Sequence, residues 1–244
     1  VTTTATPETT AQTAPAGAET PATPATPAVT VDLAQLIRAL NAACQFVAEN
    51  YEVVGSLRAV IVDAHDGLLT ATSTNRYVIA QASAPATGSL PAALCVAGEY
   101  LQLAVDALRL VPDLGYVKHV RIDASATRMS MVVIDHDGGT IAVVSAPFVS
   151  DTHWPYETST AVLAAAENVT TRVGEVDLAG EWIQKLAKLT ANMGTMQLRL
   201  GEHPKAPVHV TIGDWLTALV MPCDPGGRRT SSRAFRPVHT ETEV

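Results

Sequence analysis

The sequence predicts an α+β protein built from a repeated unit, one helix followed by three antiparallel strands, with the helices gathered on one face of the sheets. Three observations predict it. An apolar stripe at helical spacing occurs three times, each stripe is followed by three short strand-like runs, and Asp-Gly or Gly-Asp turn signals fall between those runs. One helix on three strands cannot enclose a core by itself, so the copies are expected to pair with their sheets side by side.

The first helix is expected over residues 33–47, where Leu33, Leu36, Ile37, Leu40, Cys44 and Val47 share a face. Asp32 is its N-cap, with Gln35 three residues on as in a capping box. Strand-like runs follow at 57–63, 68–73 and 76–82, the first two joined through Asp66-Gly67. A second helix, over 98–111, carries Leu101, Val105 and Leu108 and stops at Pro112. Its strands are 119–123, 128–134 and 140–145, the last two split by Asp137-Gly138-Gly139. The third copy starts with Val176-Asp177-Leu178-Ala179, an echo of Val31-Asp32-Leu33-Ala34 that suggests the same helix start. Leu178, Trp182, Ile183, Leu186, Leu189 and Met193 form its stripe, and its strands are 196–200, 208–212 and 215–221 around a Gly213-Asp214 turn.

This divides the chain of 244 residues into segments with different character. Residues 1–28 are a Thr, Ala and Pro tract with too little apolar surface to offset its ordering entropy, and are expected to be disordered. Residues 29–150 hold two repeats, 151–175 an extended connector containing His153-Trp154-Pro155-Tyr156, 176–224 the third repeat, and 225–244 a flexible basic tail.

A net charge of −8 argues against a protein that wraps nucleic acid, while leaving room for one that meets DNA on a small face. The three cysteines, Cys44, Cys95 and Cys223, form no CxxC pair and lie in apolar runs, so they read as small buried hydrophobes in a reducing compartment. No stretch approaches the ~18 apolar residues of a membrane span, and no secretory signal opens the chain; a cytoplasmic protein without membrane partners is expected. Two acidic-histidine turns, around His65 and His136, could serve a small metal or acid-base hydrolase. Asp-Gly turn chemistry accounts for both without a site, and the reading carries no catalytic residue, metal or cofactor. On the helices, the cations away from the apolar stripes are Arg38, Arg109, Lys185 and Lys188, enough for weak, sequence-independent phosphate contact.

Three stretches together resemble the bacterial sliding clamp, the beta subunit of DNA polymerase III. Thr74-Asn75-Arg76-Tyr77-Val78-Ile79-Ala80 resembles the family's Thr-Asp-x-[His/Tyr/Phe]-Arg-Leu-Ala segment, Trp154-Pro155-Tyr156 its Phe-Pro-Asp-Tyr, and Leu219-Val220-Met221-Pro222-Cys223 its C-terminal Val-Met-Pro-Met. The spacing of helices and strands over about 29–224 is similar too. The resemblance implies a DNA-clamp-like fold and a partner-peptide pocket of Thr74, Arg76, Tyr77, Val78, Ile79, Pro155, Leu219, Met221, Pro222 and Cys223. It also implies helices, with Arg38, Arg109, Lys185 and Lys188, facing double-stranded DNA. Its partners would be a DNA polymerase and a clamp loader docking through short linear motifs, and the protein would be a non-enzymatic processivity factor that forms a homo-oligomer. The family's Asp is Asn75 here, its pocket Arg is Val78, and its final Met and Arg are Cys223 and Asp224. The family's chain carries three domains of two repeats each, and two chains close a ring; this chain resembles the middle domain and the last repeat of the third. A clamp-derived adaptor or decoy that keeps the pocket without encircling DNA is the alternative reading.

Overall fold

The computed structural model describes residues 28–48, 55–111, 119–149, 156–167, 176–191, 194–201, 203 and 205–223. The expected N-terminal and basic C-terminal tails lie outside the described residues, apart from Ala28. The first repeat is β1 (Val29–Asp32), α1 (Leu33–Cys44), β2 (Ala59–His65), β3 (Leu68–Thr74) and β4 (Val78–Thr87). The second is β5 (Leu94–Ala97), α2 (Gly98–Arg109), β6 (His119–Ala124), β7 (Arg128–Ile134) and β8 (Thr140–Pro147). A further helix, α3 (Tyr156–Glu167), precedes the third repeat of α4 (Gly180–Thr190), β9 (Met196–Arg199), β10 (Val208–Ile212) and β11 (Leu216–Val220).

Local chemistry explains the element ends. Asp32 Oδ1 accepts the Gln35 backbone N–H at 2.9 Å, capping α1 as the sequence suggests. The β2–β3 hairpin turns through Asp66 and Gly67, both at positive φ (52° and 80°), which is the two-residue turn that matches strand twist. Between β7 and β8, the Asp135 carboxylate accepts the N–H groups of Asp137 (3.0 Å) and Gly139 (2.6 Å), so this acidic residue organises its own turn. α1 ends at Cys44, three residues before the expected boundary.

All strand pairs are antiparallel, and they join into one sheet with the order β5-β2-β3-β4-β1-β6-β7-β8. The first two repeats are tied by an exchange. β1 pairs with β6 of the second repeat (Val31 opposite Val120), and β5 pairs with β2 of the first (Val96 opposite Val60). Each short strand that precedes a helix therefore belongs half to its neighbour. β1 and β5 were not among the expected elements. They cross-stitch the pair, while α1 packs on α2 above them. Leu36, Leu40, Leu101, Leu108, Val60, Val120, Ile122 and Met129 are fully buried between helices and sheet.

The third repeat joins the first at β4, whose long free side is shared. Residues 78–82 of β4 pair with β11, and Ala86 and Thr87 pair with β1. Beyond β11 come β10 and then β9.

Two expectations are corrected. The connector is not extended throughout: residues 156–167 form α3. Its run of alanines has high helix propensity, which outweighs a weak apolar periodicity. The echo at the third helix start is also displaced. Asp32 immediately precedes α1, whereas Asp177 lies two residues before the α4 N-cap, Ala179, which makes no side-chain cap bond. No described helix is long and apolar enough to cross a membrane.

Candidate functional site

Two surfaces gather the residues singled out from sequence. The first is the seam between β4 and β11. Thr74-Asn75-Arg76-Tyr77 forms a tight turn into β4. The Asn75 side-chain oxygen accepts the N–H groups of Tyr77 (3.1 Å) and Val78 (2.9 Å), and Thr74 Oγ1 donates to the Val78 carbonyl at 2.7 Å. Arg76 adopts φ 81° within it, unusual for a residue with a side chain. Asn75 needs only to accept here, so an amide does the work of the carboxylate it replaces in the resemblance.

Antiparallel register places Val78 opposite Val220 and Ile79 opposite Leu219, and the Met221 N–H donates to the Tyr77 carbonyl at 2.7 Å. Side chains alternate faces along a strand. Val78 and Val220 point into the core, so Tyr77, Ile79, Leu219 and Met221 lie together on the opposite, outer face. Tyr77 is 61% exposed and Met221 42%, whereas Leu219 is only 3% exposed. α3 packs against β11. Leu163 of α3 and Leu219 are both buried without belonging to the core under the other helices, which identifies α3 as the cover on this face. The result is an apolar step: two large exposed side chains beside a helix.

The expected pocket residues thus separate by depth. Thr74, Val78 and Leu219 are buried and shape the seam; Ile79 and Pro222 are half-buried; Arg76, Tyr77, Met221 and Cys223 are exposed. Pro155 lies outside the described residues. Sequence reasoning missed α3 as the flanking wall. Cys223 is a correction to the reading of all three cysteines as buried. Cys44 is enclosed, and desolvation pushes its thiol up to about 12, with Asp106 adding to the shift. Cys95 is half-buried, its thiol raised to about 11 by burial.

The second surface lies on the helix side. A cleft of about 240 Å³ is lined by Ile37, Arg38 and Asn41 of α1, Arg109 of α2, Lys188 and Leu189 of α4, and Trp215. Three of the four expected DNA-facing cations therefore converge, from three different helices. The Arg38 guanidinium sits 4.9 Å from the Trp215 ring centroid. Arg38 Nε and Trp215 Nε1 are buried without a hydrogen-bond partner among the described residues. Arg109 is held at 2.8 Å by Asp106, an exposed pair. Lys185 does something else: its Nζ donates to the Gln45 carbonyl just past the end of α1 at 3.1 Å and lies 5.1 Å from the Trp182 ring centroid, tying α4 to α1.

His65 and His136 sit at their turns, exposed, and His136 Nε2 lies 3.2 Å from Asp137. Among the described residues, no three His, Cys, Asp or Glu side chains are grouped as metal ligands are.

Comparison with solved structures decides the fold. The DNA polymerase III subunit beta of Pseudomonas aeruginosa superposes with a TM-score of 0.58 over 86% of this chain and 68% of its own, at 12% identity. The sliding clamp of Bacillus subtilis gives 0.60 over 85% and 67%, at 11% identity. The DNA polymerase III beta subunit of Thermotoga maritima gives 0.57 over 81% and 65%, at 12%. The chain has the sliding-clamp fold. It spans about two thirds of the length of these clamps, and no protein-family model and no curated protein sequence matches it. Within the clamp fold, the β4–β11 seam is where two repeats from distant parts of the chain meet, and the cationic cleft lies on the helix face.

Proposed function

We propose that the protein is a sliding-clamp-like processivity factor that tethers a DNA polymerase to double-stranded DNA, acting by binding rather than by catalysis, in the cytoplasm. The observation that carries this reading is that one clamp-like fold presents both a cationic helix-side cleft and an apolar step on its outer face. On the outer face, Tyr77 and Met221 are the anchors for a short linear motif of a polymerase or clamp loader. Large exposed apolar side chains beside a buried seam are the type of feature that concentrates interface energy. On the helix face, Arg38, Arg109 and Lys188 contact DNA phosphates without reading sequence.

A fluorescent peptide carrying the clamp-binding segment of a replicative polymerase tests the outer site by titration. Tyr77→Ala and Met221→Ala are each expected to weaken binding by about 1 kcal/mol or more, roughly fivefold. Affinities equal to the parent's would sink the assignment. For the helix face, Arg38→Ala or Lys188→Ala is expected to reduce the steepness of the salt dependence of DNA binding by about one phosphate contact each. Retention on circular DNA and release on linearisation would establish topological linkage.

Among the described residues the outer edge of β9 has no strand partner, which favours a second reading, a clamp-derived adaptor that competes for clamp partners without enclosing DNA. Peptide binding combined with no preference for circular DNA would select it.

A further inference from the structure

The third repeat lacks what the other two give each other. In the paired repeats, the strand preceding each helix lies against the strand that follows the neighbour's helix, Val29 opposite Ile122 and Val31 opposite Val120, and reciprocally Leu94 opposite Val62 and Val96 opposite Val60. All eight side chains are buried. In the third repeat, residues 176–179 occupy the corresponding place. The Cys223 N–H donates to the Asp177 carbonyl at 2.8 Å, as the Val149 N–H donates to the Cys95 carbonyl at 2.9 Å, and both acceptors lie two residues before a helix N-cap. Yet residues 176–179 form no strand, and among the described residues β9 pairs only with β10.

The apolar positions are nevertheless kept. Leu198 stands opposite Val210, a core residue, so it faces the helix side, but it is 46% exposed. Counted from the N-caps, Leu36 and Leu101 correspond to Ile183, and Leu40 and Val105 to Ala187. The first four are fully buried, whereas Ile183 is half-buried and Ala187 exposed.

We propose that a second copy of this chain completes the third repeat. The two third repeats pair about a two-fold axis, residues 176–179 of each copy adding to β9 of the other and the two α4 helices meeting above them. Carrying over the β1–β6 register sets Val176 opposite Leu198 and Leu178 opposite Met196 across the interface. It also brings exposed Asp177 diagonally beside exposed Arg199, an opposite-charge cross-strand pair. A two-fold contact must be self-complementary, and the internal pairing of the first two repeats shows this arrangement to be one that the fold already makes. The occupant is a second copy because the segment that fits β9 is carried by the same repeat and pairs with no strand among the described residues. Two copies joined in this way form a row of six repeats with both helix-side clefts on one face. The inference uses strand pairing alone and stands apart from the tethering function.

Light scattering on the purified full chain, without DNA or peptide, tests it. The parent is expected at twice the 25.6 kDa chain mass, and Leu198→Asp or Ala187→Glu at the single-chain mass with an unchanged circular dichroism spectrum. In a Cys223→Ser background, Val176→Cys combined with Leu198→Cys is expected to give a disulfide-linked dimer on a non-reducing gel, and neither single cysteine to do so. A parent that stays monomeric at every concentration overturns the proposal. So does a dimer that survives Leu198→Asp and resists the cysteine pair, because it must use another surface. Neither result touches the peptide or DNA titrations.

Discussion

The second and third repeats are built from the same parts and differ in what covers them. Val120 and Ile122 on β6 are fully buried, while Leu198 on β9, on the corresponding strand and the same side of the sheet, is nearly half exposed. Both strands follow an amphipathic helix and lead into a hairpin. The difference teaches that a repeat of this fold does not own its core. One of the two strand neighbours of β2 is β5, and one of the two of β6 is β1, each a strand that precedes the helix of the other repeat. A lone repeat keeps the apolar pattern and loses the burial that makes the pattern stabilising.

The sharpest way to break this comparison is to truncate matching leucines. Leu101→Ala removes a fully buried side chain from the helix pair and is expected to cost about 2–5 kcal/mol, from lost transfer energy plus the cavity left behind. Leu198→Ala, measured where the chain is monomeric, is expected to stay within about 0.5 kcal/mol, because water already reaches that side chain. Denaturant melts of both variants give the answer. Similar losses would mean that β9 is enclosed in the monomer and that the two repeats are equivalent.

How much of this was legible follows the range of the interactions involved. The three helices and nine hairpin strands announce themselves because their periodicity and turn chemistry are local; Asp66-Gly67 and the self-capping Asp135 turn need nothing from elsewhere in the chain. β1 and β5 were missed because four residues hold too little alternation to be recognised, and their partners lie far along the chain. α3 was missed because its largest cue, Pro155-Tyr156 after Trp154, reads as an extended connector, while the alanines that make it helical form no stripe. At the candidate site, the resemblance brought Tyr77 and Met221 to attention. Only the register of β4 on β11, joining positions more than a hundred residues apart in sequence, shows that they share a face and that Val78 turns away from it.

The displaced echo offers the smallest and cleanest contrast. Val31-Asp32-Leu33-Ala34 and Val176-Asp177-Leu178-Ala179 are identical for four residues, yet the helix begins directly after the first Asp and three residues after the second. Asp32 satisfies the Gln35 N–H at 2.9 Å, one of the orphan donors of the first turn, so Asp32→Ala is expected to cost about 1 kcal/mol. Asp177 is exposed, and its backbone carbonyl, which any residue would supply, is the group that accepts the Cys223 N–H. Asp177→Ala is therefore expected to change monomer stability by less than about 0.5 kcal/mol. If a second copy pairs as proposed, the same substitution removes the charge beside Arg199 and weakens the dimer slightly, an effect that added salt would erase. A cost for Asp177→Ala equal to that of Asp32→Ala in the monomer would mean that the second Asp also caps its helix, and that the two identical tetrapeptides share one local structure after all.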